Sequence, residues 1–542
     1  MPTSAADRLI SIIAHARSGA LEQAWLLFRE AGLDAEKDDP AVLSVRGRLL
    51  KDRALAAPLA ERKRLFGVAA ESYAAAAAIN GASYPLINAA TLALLAGAPE
   101  QARDHARQVI ARIEARPDEP ETPYYRAATV AEARLLLGEV AAARDALAEG
   151  IALAPRAWED HASTLRQFGL ILDALGEDKA WLDLHRPPRS MHFAGPITVA
   201  AGDALAGAVA DLIAAERIGF AFGALAAGAD IVIAEAALAA GAELHVVLPG
   251  DRAGFASRSV EPFGADWLTR FDALIERAET VREIGAEHGP VDHAAIALAD
   301  MMAMGGAAMQ AGLLQSEAVQ LLVTAEEADG GVGGDNSMRV GQRWLAAGRR
   351  QLRVTAPRTA AAPPAPALLP DADEQHHMAA MLALSPVADR GGRLAPEDLS
   401  ARLAAIADAL AASGNMTVPP CWAAGTLHLA FAETAAAVAA AQALARALAA
   451  FGAWRIAGHF GSVFRLQDPL TGGTTLFGPA AKAPARLLGS VPPGAIHVTE
   501  GFTLALWAEN AAPPGTGLVG EVVGEDGLPV PVYALARQRG VD

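Results

Sequence analysis

A turn rich in glycine and alanine is the first place where this sequence could bind an anion. Residues 219–250 read GFAFGALAAGADIVIAEAALAAGAELHVVLPG, which predicts a strand, a turn, a helix and a second strand. Small residues let backbone N–H groups approach a ligand, and a helix N-terminus offers unpaired donors to an anion such as phosphate. Close packing of strand against helix would also select small residues. The predicted ligand-binding residues here are Gly223, Ala224, Gly228, Asp230 and Glu235.

A second glycine-rich loop, EEADGGVGGDN at 326–336, follows another predicted strand. Its glycines can form a further nest of N–H groups, or a turn over a bound sugar. Asp329, Asp335 and Asn336 can hydrogen-bond ribose hydroxyls. Two such loops after strands of one sheet favour a ligand site over the packing explanation. The predicted ligand-binding residues of this loop are Asp329, Gly330, Gly331, Gly333 and Gly334.

Arginines in LPGDRAGFASRSVEPFG, residues 248–264, could complete an anion site. The planar guanidinium group can hold a phosphate through two parallel hydrogen bonds. We predict Arg252 as the anion contact, with a solvated surface arginine as the alternative.

The elements that must position these loops alternate between strands and helices. Predicted strands are HFAGPITVA, RIGFAFG, ELHVVLPG, VQLLVTA and RQLRVTAP, with a helix over 203–215 and another opening at Ala224. This alternation predicts a parallel, doubly wound sheet.

The run FGALAAGAD…AEAALAAGAELHVVLP and the late glycine-rich loop resemble the SLOG superfamily, which includes cytokinin-activating LOG enzymes and DNA-processing DprA proteins. The resemblance covers roughly 188–355. It implies a Rossmann-like fold that binds a nucleotide or a nucleotide-derived signal. The chain lacks the PGGxGTxxE signature on which hydrolysis by LOG enzymes depends, so binding is favoured. The alternative is a nucleotide hydrolase or transferase with Asp230 or Glu235 as the acid–base group.

Three stretches near the C-terminus resemble class III nucleotide cyclases over roughly 376–537: CWAAGTLHLAFAETAAAVAAAQAL, WRIAGHFGSVFRLQDPLTGGTTLFG and FGPAAKAPARLLGSVPPGAIHVTEGF. In that family two carboxylates hold two metal ions, one of which activates the ribose 3′-hydroxyl. An Asn and an Arg from the partner subunit orient the ribose and stabilise charge at the transferring phosphorus. The resemblance therefore implies a homodimer, or pairing with an active cyclase.

The metal-binding carboxylates of that family are missing when its motifs are placed on this sequence. The second carboxylate falls at Ala424, and the first falls at Leu384 or Ser385. Lys482 occupies the Asn position, and only Arg486 matches. Because Leu and Ala cannot ligate a cation, we predict a degenerate cyclase-like domain with no metal site and no catalytic residues. The alternatives are a shifted register in which Asp389 binds metal, and a working adenylate cyclase.

Residues 1–185 are predicted to be all-helical. Paired helices recur, and the glycines at 97 and 138 lie 41 residues apart in equivalent places. These pairs resemble tetratricopeptide (TPR) repeats, and RGRLLKDRALAA…YAAAAAINGASYPLINAATLALLAG resembles the TRAFs-binding domain. The concave face of such repeats would bind a protein partner. A generic helical bundle remains the alternative.

Composition limits the classes of partner. The chain has 542 residues, a net charge of −17 and a single cysteine, Cys421. Such acidity disfavours nucleic acid or an anionic membrane as a partner. One cysteine excludes an internal disulfide. With no signal-like N-terminus and no long uninterrupted apolar run, we expect a cytoplasmic location.

The predicted architecture has three folded parts. They are an all-α TPR-like domain at 1–185, an α/β Rossmann-like domain with a parallel sheet at 188–355, and an α+β ferredoxin-like, cyclase-related domain at 376–540. A Pro/Ala linker at 356–375 separates the last two. We predict a signalling protein that binds a nucleotide or nucleotide derivative in the middle part and relays binding to its neighbours. A pure scaffold is a further alternative.

Overall fold

A computed structural model places the chain in two compact units. The helical unit contains Met1–Pro187 with Leu313–Gln315, and the sheet unit contains Pro188–Gly312 with Ser316–Asp542. The structure describes residues 5–17, 21–116, 122–197, 199–200, 202–284, 293–325, 336–358, 376–386, 396–411, 416–452, 454–470, 472–510, 515–524 and 527–535.

The described part of the helical unit is built of nine α-helices with short connections. Asp39 caps the third helix, because its carboxylate accepts from the backbone N–H groups of Ala41 and Val42. Gly97 ends the fifth helix with φ 88°, a left-handed conformation that glycine adopts without strain. The helices are α1 (Ala5–Arg17), α2 (Leu21–Glu30), α3 (Pro40–Ala56), α4 (Leu59–Asn80), α5 (Ser83–Ala96), α6 (Pro99–Ala115), α7 (Pro123–Leu136), α8 (Val140–Leu153) and α9 (Trp158–Leu175).

The odd-numbered helices of this unit form an inner layer. From α1 to α8 each helix packs against the next one along the chain, and in addition α1 contacts α3 while α5, α7 and α9 contact one another. Two apolar clusters fill the space between the layers, one around Phe28 and Leu49 and one around Leu135 and Phe168. The predicted pairing of helices is therefore present.

The first sheet of the sheet unit has six strands, and every neighbouring pair is parallel. Their order is β4-β3-β2-β1-β5-β6, so the order reverses direction between β1 and β5. The strands are β1 (Arg189–Ala194), β2 (Ile218–Gly223), β3 (Glu243–Pro249), β4 (Thr280–Ile284), β5 (Ala318–Ala325) and β6 (Arg350–Ala356). This is the parallel sheet that the alternation of strands and helices predicts.

Helices cover both faces of the parallel sheet. The face that carries Met191, Phe193 and Leu244 forms a large apolar core with α10, α11 and α13. The opposite face carries His192 and Phe222 and packs against α14 and α15. The helices are α10 (Asp203–Ala215), α11 (Ala229–Ala239), α12 (Arg252–Ser259), α13 (Ala265–Arg277), α14 (His293–Leu313) and α15 (Asn336–Ala346).

Two predicted boundaries are wrong. The first strand ends at Ala194 rather than continuing through GPITVA, because the chain turns at Gly195 to pack against α11. The helix predicted to open at Ala224 begins at Ala229, after a turn over 224–228.

The second sheet is mixed. Its order is β13-β14-β12-β10-β7-β9-β8, with β11 paired to β10. The segment β10-β7-β9-β8 gives the order 4-1-3-2 of a ferredoxin-like β-α-β-β-α-β core, as the sequence predicts. The strands are β7 (His376–Pro386), β8 (Cys421–Ala423), β9 (Thr426–Phe431), β10 (Trp454–Gln467), β11 (Thr474–Phe477), β12 (Ile496–Thr499), β13 (Thr516–Val523) and β14 (Pro529–Leu535). Its helices are α16 (Pro396–Ala411), α17 (Thr434–Ala447), α18 (Pro479–Leu487) and α19 (Glu500–Glu509).

Helix α19 of the second sheet packs closely against α14 of the first. A Cβ atom added at Gly305 would lie 2.0 Å from the carbonyl oxygen of Leu504, and one at Gly312 would lie 2.3 Å from the Trp507 ring. Arg282 on β4 also pairs with Glu500, with Nη2 to Oε1 at 2.8 Å. The two sheets therefore belong to one compact unit, joined through α19.

Two described helices are long and apolar enough to cross a bilayer by length and composition alone. They are His293–Leu313 and Thr434–Phe451. In the apolar 18-residue window of each helix, 67% and 44% of the residues, respectively, are buried inside the protein.

Candidate functional site

The carboxyl edge of the parallel sheet is where a ligand site is expected. In open parallel sheets, ligands bind outside the carboxyl ends of the strands where the strand order reverses. Here that place lies between β1 and β5. Gly195 follows β1, Gly223 ends the neighbouring β2, and Asn336 opens α15 after β5. Several predicted residues therefore lie at this edge.

The chain itself occupies much of the first glycine-rich turn. Asp230 is 7% exposed, and its carboxylate accepts from the backbone N–H of Gly195 at 3.0 Å and of Ala226 at 3.3 Å. The N–H of Ala227 donates to the Ser259 carbonyl, and that of Ala229 donates to the Pro196 carbonyl. Asp230 thus joins the turns after β1 and β2, and three N–H groups of 224–229 already have partners within the protein.

Packing explains why glycine is required at the two predicted glycine positions. A Cβ atom at Gly223 would lie 2.7 Å from the Phe193 ring. A Cβ atom at Gly228 would lie 2.5 Å from the Ile197 carbonyl oxygen, and its φ of 95° is in the left-handed region. The close approach at these glycines is therefore to the chain's own β1 turn. Ala224 lies between them, half-buried at the edge of the same core.

Glu235 and Arg252, which the sequence predicts as ligand contacts, each form an ion pair with a residue of α13. Glu235 receives two hydrogen bonds from Arg270, at 2.8 and 2.7 Å. Arg252, in the first turn of α12, donates to Asp272 at 2.6 Å. The structure therefore uses both side chains to hold α13 against its neighbours, and it does not bring them together with each other.

Asp300 is a polar residue at this edge that sequence reasoning missed. It lies on α14, near the end that faces the carboxyl edge, and Asn336 Nδ2 donates to its Oδ2 at 2.7 Å. Burial raises the pKa of Asp300 to about 6, although Asn336 and the nearby Arg343 and Arg339 act in the opposite direction. The helix sequence HAAIALADMMAMGGAAMQAGL contains no Asp, Glu, Lys or Arg besides Asp300. A single charged residue in an otherwise apolar helix was the sequence feature that could have indicated a functional role.

A row of three polar side chains, two of them buried and one half-buried, lies on the strands that border this place. His192, Gln320 and Gln351 lie side by side on β1, β5 and β6. Gln320 Nε2 lies 3.0 Å from His192 Nδ1, and Gln351 Nε2 donates to Gln320 Oε1 at 2.6 Å. Burial lowers the pKa of His192 to about 3, so the imidazole is neutral near pH 7. The same ring stacks on Trp344. Sequence reasoning missed this row as well.

The predicted residues of the second glycine-rich loop lie outside the described part of the chain. They are Asp329, Gly330, Gly331, Gly333 and Gly334, and the same holds for Asp335 and for Asp389 of the alternative cyclase register.

The cyclase-like positions contain no described carboxylate. Leu384 is 1% exposed on β7, between Ile456 of β10 and Leu427 of β9. Ala424 lies in the two-residue turn of the β8–β9 hairpin, with φ 48°. Ser385, next to Leu384, has its hydroxyl directed to the Pro386 carbonyl at 3.4 Å. Within the described residues, no group of three or more His, Cys, Asp or Glu side chains could hold a metal ion.

Lys482 and Arg486 lie one turn apart on α18, and both are exposed. Side chains at this spacing share a helix face, so a partner could meet both.

Comparisons with known proteins match the N-terminal helices to a family. The TPR-S family, described as Tetratricopeptide Repeats-Sensor, matches residues 5–93. A search of curated proteins found no match. The N-terminal region is therefore TPR-like.

Solved structures similar to this chain include nucleotide cyclases. One is the guanylate cyclase domain of RhGC from Catenaria anguillulae in complex with GTP, at 16% identity and a TM-score of 0.26, covering 30% of this chain and 100% of that one. Another is the adenylyl cyclase CyaB from P. aeruginosa, at 15% identity, a TM-score of 0.25, and coverage of 30% and 96%. A third is an adenylate cyclase from Trypanosoma brucei in its monomeric state, at 15% identity, a TM-score of 0.26, and coverage of 30% and 92%.

Proposed function

We propose that this chain is a cytoplasmic signalling or regulatory protein. In this proposal the parallel sheet is SLOG-like and binds a nucleotide-derived ligand at the crevice between β1 and β5. The ferredoxin-like sheet is a cyclase-like domain without cyclase chemistry, and the TPR-like helices bind a protein partner.

The Asp300–Asn336 pair at the crevice is the observation that carries the ligand site. A carboxylate and an amide are the groups that accept from and donate to the hydroxyls of a ribose. They lie where the strand order reverses, the usual ligand position in such sheets. Because Asp230, Glu235 and Arg252 are engaged elsewhere, a ligand would depend on this pair. Its phosphates would meet the glycines predicted at 330–334.

Variants of this pair test the proposal better than variants of the glycines, because side chains at 223 or 228 would disturb packing. Purified protein is analysed by mass spectrometry for co-purifying small molecules and by thermal shift with a nucleotide panel. We expect one or more nucleotides to raise the melting temperature of wild type and of Asp211→Asn. Asp211 is exposed on α10, on the other face of the sheet. We expect Asp300→Asn and Asn336→Ala to lose the shift. No shift with any nucleotide, and no co-purifying nucleotide, would count against the proposal.

Helix α19 supports the proposed relay. It follows β12 of the cyclase-like sheet, contacts α14 through Gly305, and is joined to β4 by the Arg282–Glu500 pair. Arg349, which follows α15, donates to the carbonyls of Trp507, Ala508 and Asn510 at the end of α19. Movement of α14 or α15 on ligand binding would therefore reach the cyclase-like sheet through one helix.

A second candidate is an enzyme that turns over its nucleotide. The raised pKa of Asp300, about 6, favours it, because general acid–base groups work best with a pKa near the working pH. Incubation with nucleotides followed by chromatography tests this candidate. Turnover by wild type that is lost in Asp300→Asn would support it over simple binding.

The cyclase resemblance leads us to propose a homodimer formed through the cyclase-like domain, with Lys482 and Arg486 on the contacting side. Light scattering coupled to size exclusion measures the mass. We expect twice the chain mass for wild type and a concentration-dependent fall in mass for the double variant Lys482→Glu, Arg486→Glu. A monomer at all concentrations would refute this part.

A further inference from the structure

We infer that the inner layer of the helical unit contains a second binding site, for a small zwitterion such as a free amino acid. The site is the inner polar cluster, defined as Lys51 on α3, Thr91 on α5, Glu132 on α7 and Gln167 on α9. It is separate from the nucleotide site proposed above.

Four inner helices each contribute one side chain to this cluster. Lys51 Nζ donates to Gln167 Oε1 at 2.8 Å, and Gln167 Nε2 donates to Glu132 Oε1 at 3.0 Å. Thr91 Oγ1 donates to the same Glu132 oxygen at 2.6 Å. Thr91 and Glu132 each lie six residues before the glycine that follows their helix, Gly97 or Gly138. Equivalent positions of successive helix pairs therefore supply polar groups to one place.

The two charges of the cluster are held apart rather than paired. The Gln167 amide lies between the Lys51 ammonium and the Glu132 carboxylate, and no ion pair joins them among the described contacts. Burial raises the pKa of Glu132 and lowers the pKa of Lys51. Each charge is thus partly desolvated and lacks a direct counter-ion among the described contacts, and a ligand of opposite charge would supply one.

Both charges retain hydrogen-bonding capacity. Glu132 Oε2 makes no hydrogen bond to a described residue, since Thr91 and Gln167 both donate to Oε1. Lys51 has three N–H donors and one described acceptor. Arg48, one turn before Lys51, has a buried Nε without a hydrogen bond among the described residues and only Asp52 at 3.9 Å. Lys51, Glu132 and Gln167 remain partly exposed, so a solute can reach them.

This arrangement matches the charges of a zwitterion. A ligand carboxylate would accept from Lys51 and Arg48, and a ligand ammonium would donate to Glu132 Oε2. An ion with one charge would compensate only half of the site.

Calorimetry on the full-length protein tests the inference. The probes are the free L-amino acids, with acetate and methylammonium as ions of a single charge. We expect at least one amino acid to bind and neither single ion to bind. Glu132→Gln keeps an oxygen acceptor for Thr91 and Gln167, and Lys51→Met keeps the length of the side chain. Each variant is expected to weaken binding at least about tenfold.

Matched controls are Glu149→Gln on α8 and Lys63→Met on α4, both at exposed positions on outer helices. We expect them to bind as wild type does, and circular dichroism verifies the fold of every variant. Absence of binding by every amino acid, binding of acetate as strong as that of the amino acid, or full binding by folded Glu132→Gln and Lys51→Met would each overturn the inference.

Discussion

Asp300 shows how the surroundings of one side chain define a candidate site. The same carboxyl on an exposed helix would ionise at its ordinary pKa of 3.8, whereas burial on α14 raises the pKa to about 6. The neighbouring Asn336 supplies a hydrogen bond but no charge. The negative charge of ionised Asp300 is therefore only partly compensated by its neighbours. Carboxylates with a pKa shifted in this way are common at functional sites.

Replacing Asp300 by Asn should change stability in a pH-dependent way. The folded-state pKa lies above the unfolded value, so the folded protein holds the proton more tightly. The contribution of this raised pKa to the unfolding free energy is fully present below the unfolded-state pKa and is lost as the pH rises through about 6. We expect Asp300→Asn to exceed wild type in unfolding free energy by roughly 1–2 kcal/mol at about pH 7.5, and by less at about pH 4.5.

Urea denaturation at the two pH values measures this difference, and the exposed Asp211→Asn on α10 serves as the control. A gap between Asp300→Asn and wild type that stays constant with pH would contradict the role of burial.

Ala424 allows a second prediction at the residue scale. Its φ of 48° is in the left-handed region, where a Cβ atom is strained. Ala424→Gly should therefore raise the unfolding free energy by roughly 0.5–1 kcal/mol. Ala423→Gly, on the adjacent strand β8, should lower it. Denaturant titration of both variants checks the prediction, and a loss of stability in Ala424→Gly would count against the hairpin geometry.

At the scale of elements, the contact between α14 and α19 determines how the sheet unit holds together. Gly305 and Gly312 lie at the contact, and the backbone of α19 approaches the position where a side chain at 305 would be. Met302 of α14 is buried, and its sulfur would lie 3.9 Å from a Cβ atom added at Gly501 on α19. An unbranched side chain such as methionine adapts to irregular gaps.

Gly305→Ala should destabilise the sheet unit by about 1–3 kcal/mol, because the added methyl group would lie 2.0 Å from the Leu504 carbonyl oxygen. Gly207→Ala is the matched control. Gly207 lies within α10 with nothing inside 4 Å of an added Cβ, so the substitution should be neutral or stabilising. Thermal melts of both variants test the contact. Equal melting temperatures would show that α14 and α19 do not pack this closely.

At the scale of the whole molecule, the mixed sheet contains a ferredoxin-like core, and the positions that the sequence resemblance assigns to metal binding carry Leu384, Ser385 and Ala424. In the proposed degenerate cyclase, these three side chains offer divalent cations no carboxylate ligand, so the ribose 3′-hydroxyl would remain a poor nucleophile near neutral pH.

Wild-type protein incubated with ATP and Mn²⁺ should therefore produce no cyclic AMP above a protein-free control. The double variant Ser385→Asp, Ala424→Asp places two carboxylates at the end of β7 and in the β8–β9 turn. This double variant should bind Mn²⁺ more tightly than wild type in a calorimetric titration. The prediction concerns metal affinity and not cyclase activity. Cyclic AMP formation by wild type would falsify the assignment of a degenerate cyclase.

Part of the fold followed from local patterns. Alternation of strands and helices predicted the parallel sheet, and the predicted helix over 203–215 coincides with α10. Turn residues were less predictable: Gly195 ends β1 because of a contact with α11, which no local pattern records. Of the candidate site, the sequence predicted Asn336 as a ribose contact but not its partner Asp300. Asp230, Glu235 and Arg252 carry suitable groups, but the fold gives them other partners.

The sequence by itself determined the paired helices of the N-terminal region and the alternation of strands with helices in the middle region, because both depend on residue type and short-range periodicity. Only the tertiary structure decided which polar groups meet. Asp300 and Asn336 are 36 residues apart, and Lys51 and Gln167 are 116 apart. Hydrogen bonds between such distant residues arise from the packing of whole helices, and the burial that shifts their pKa values arises in the same way.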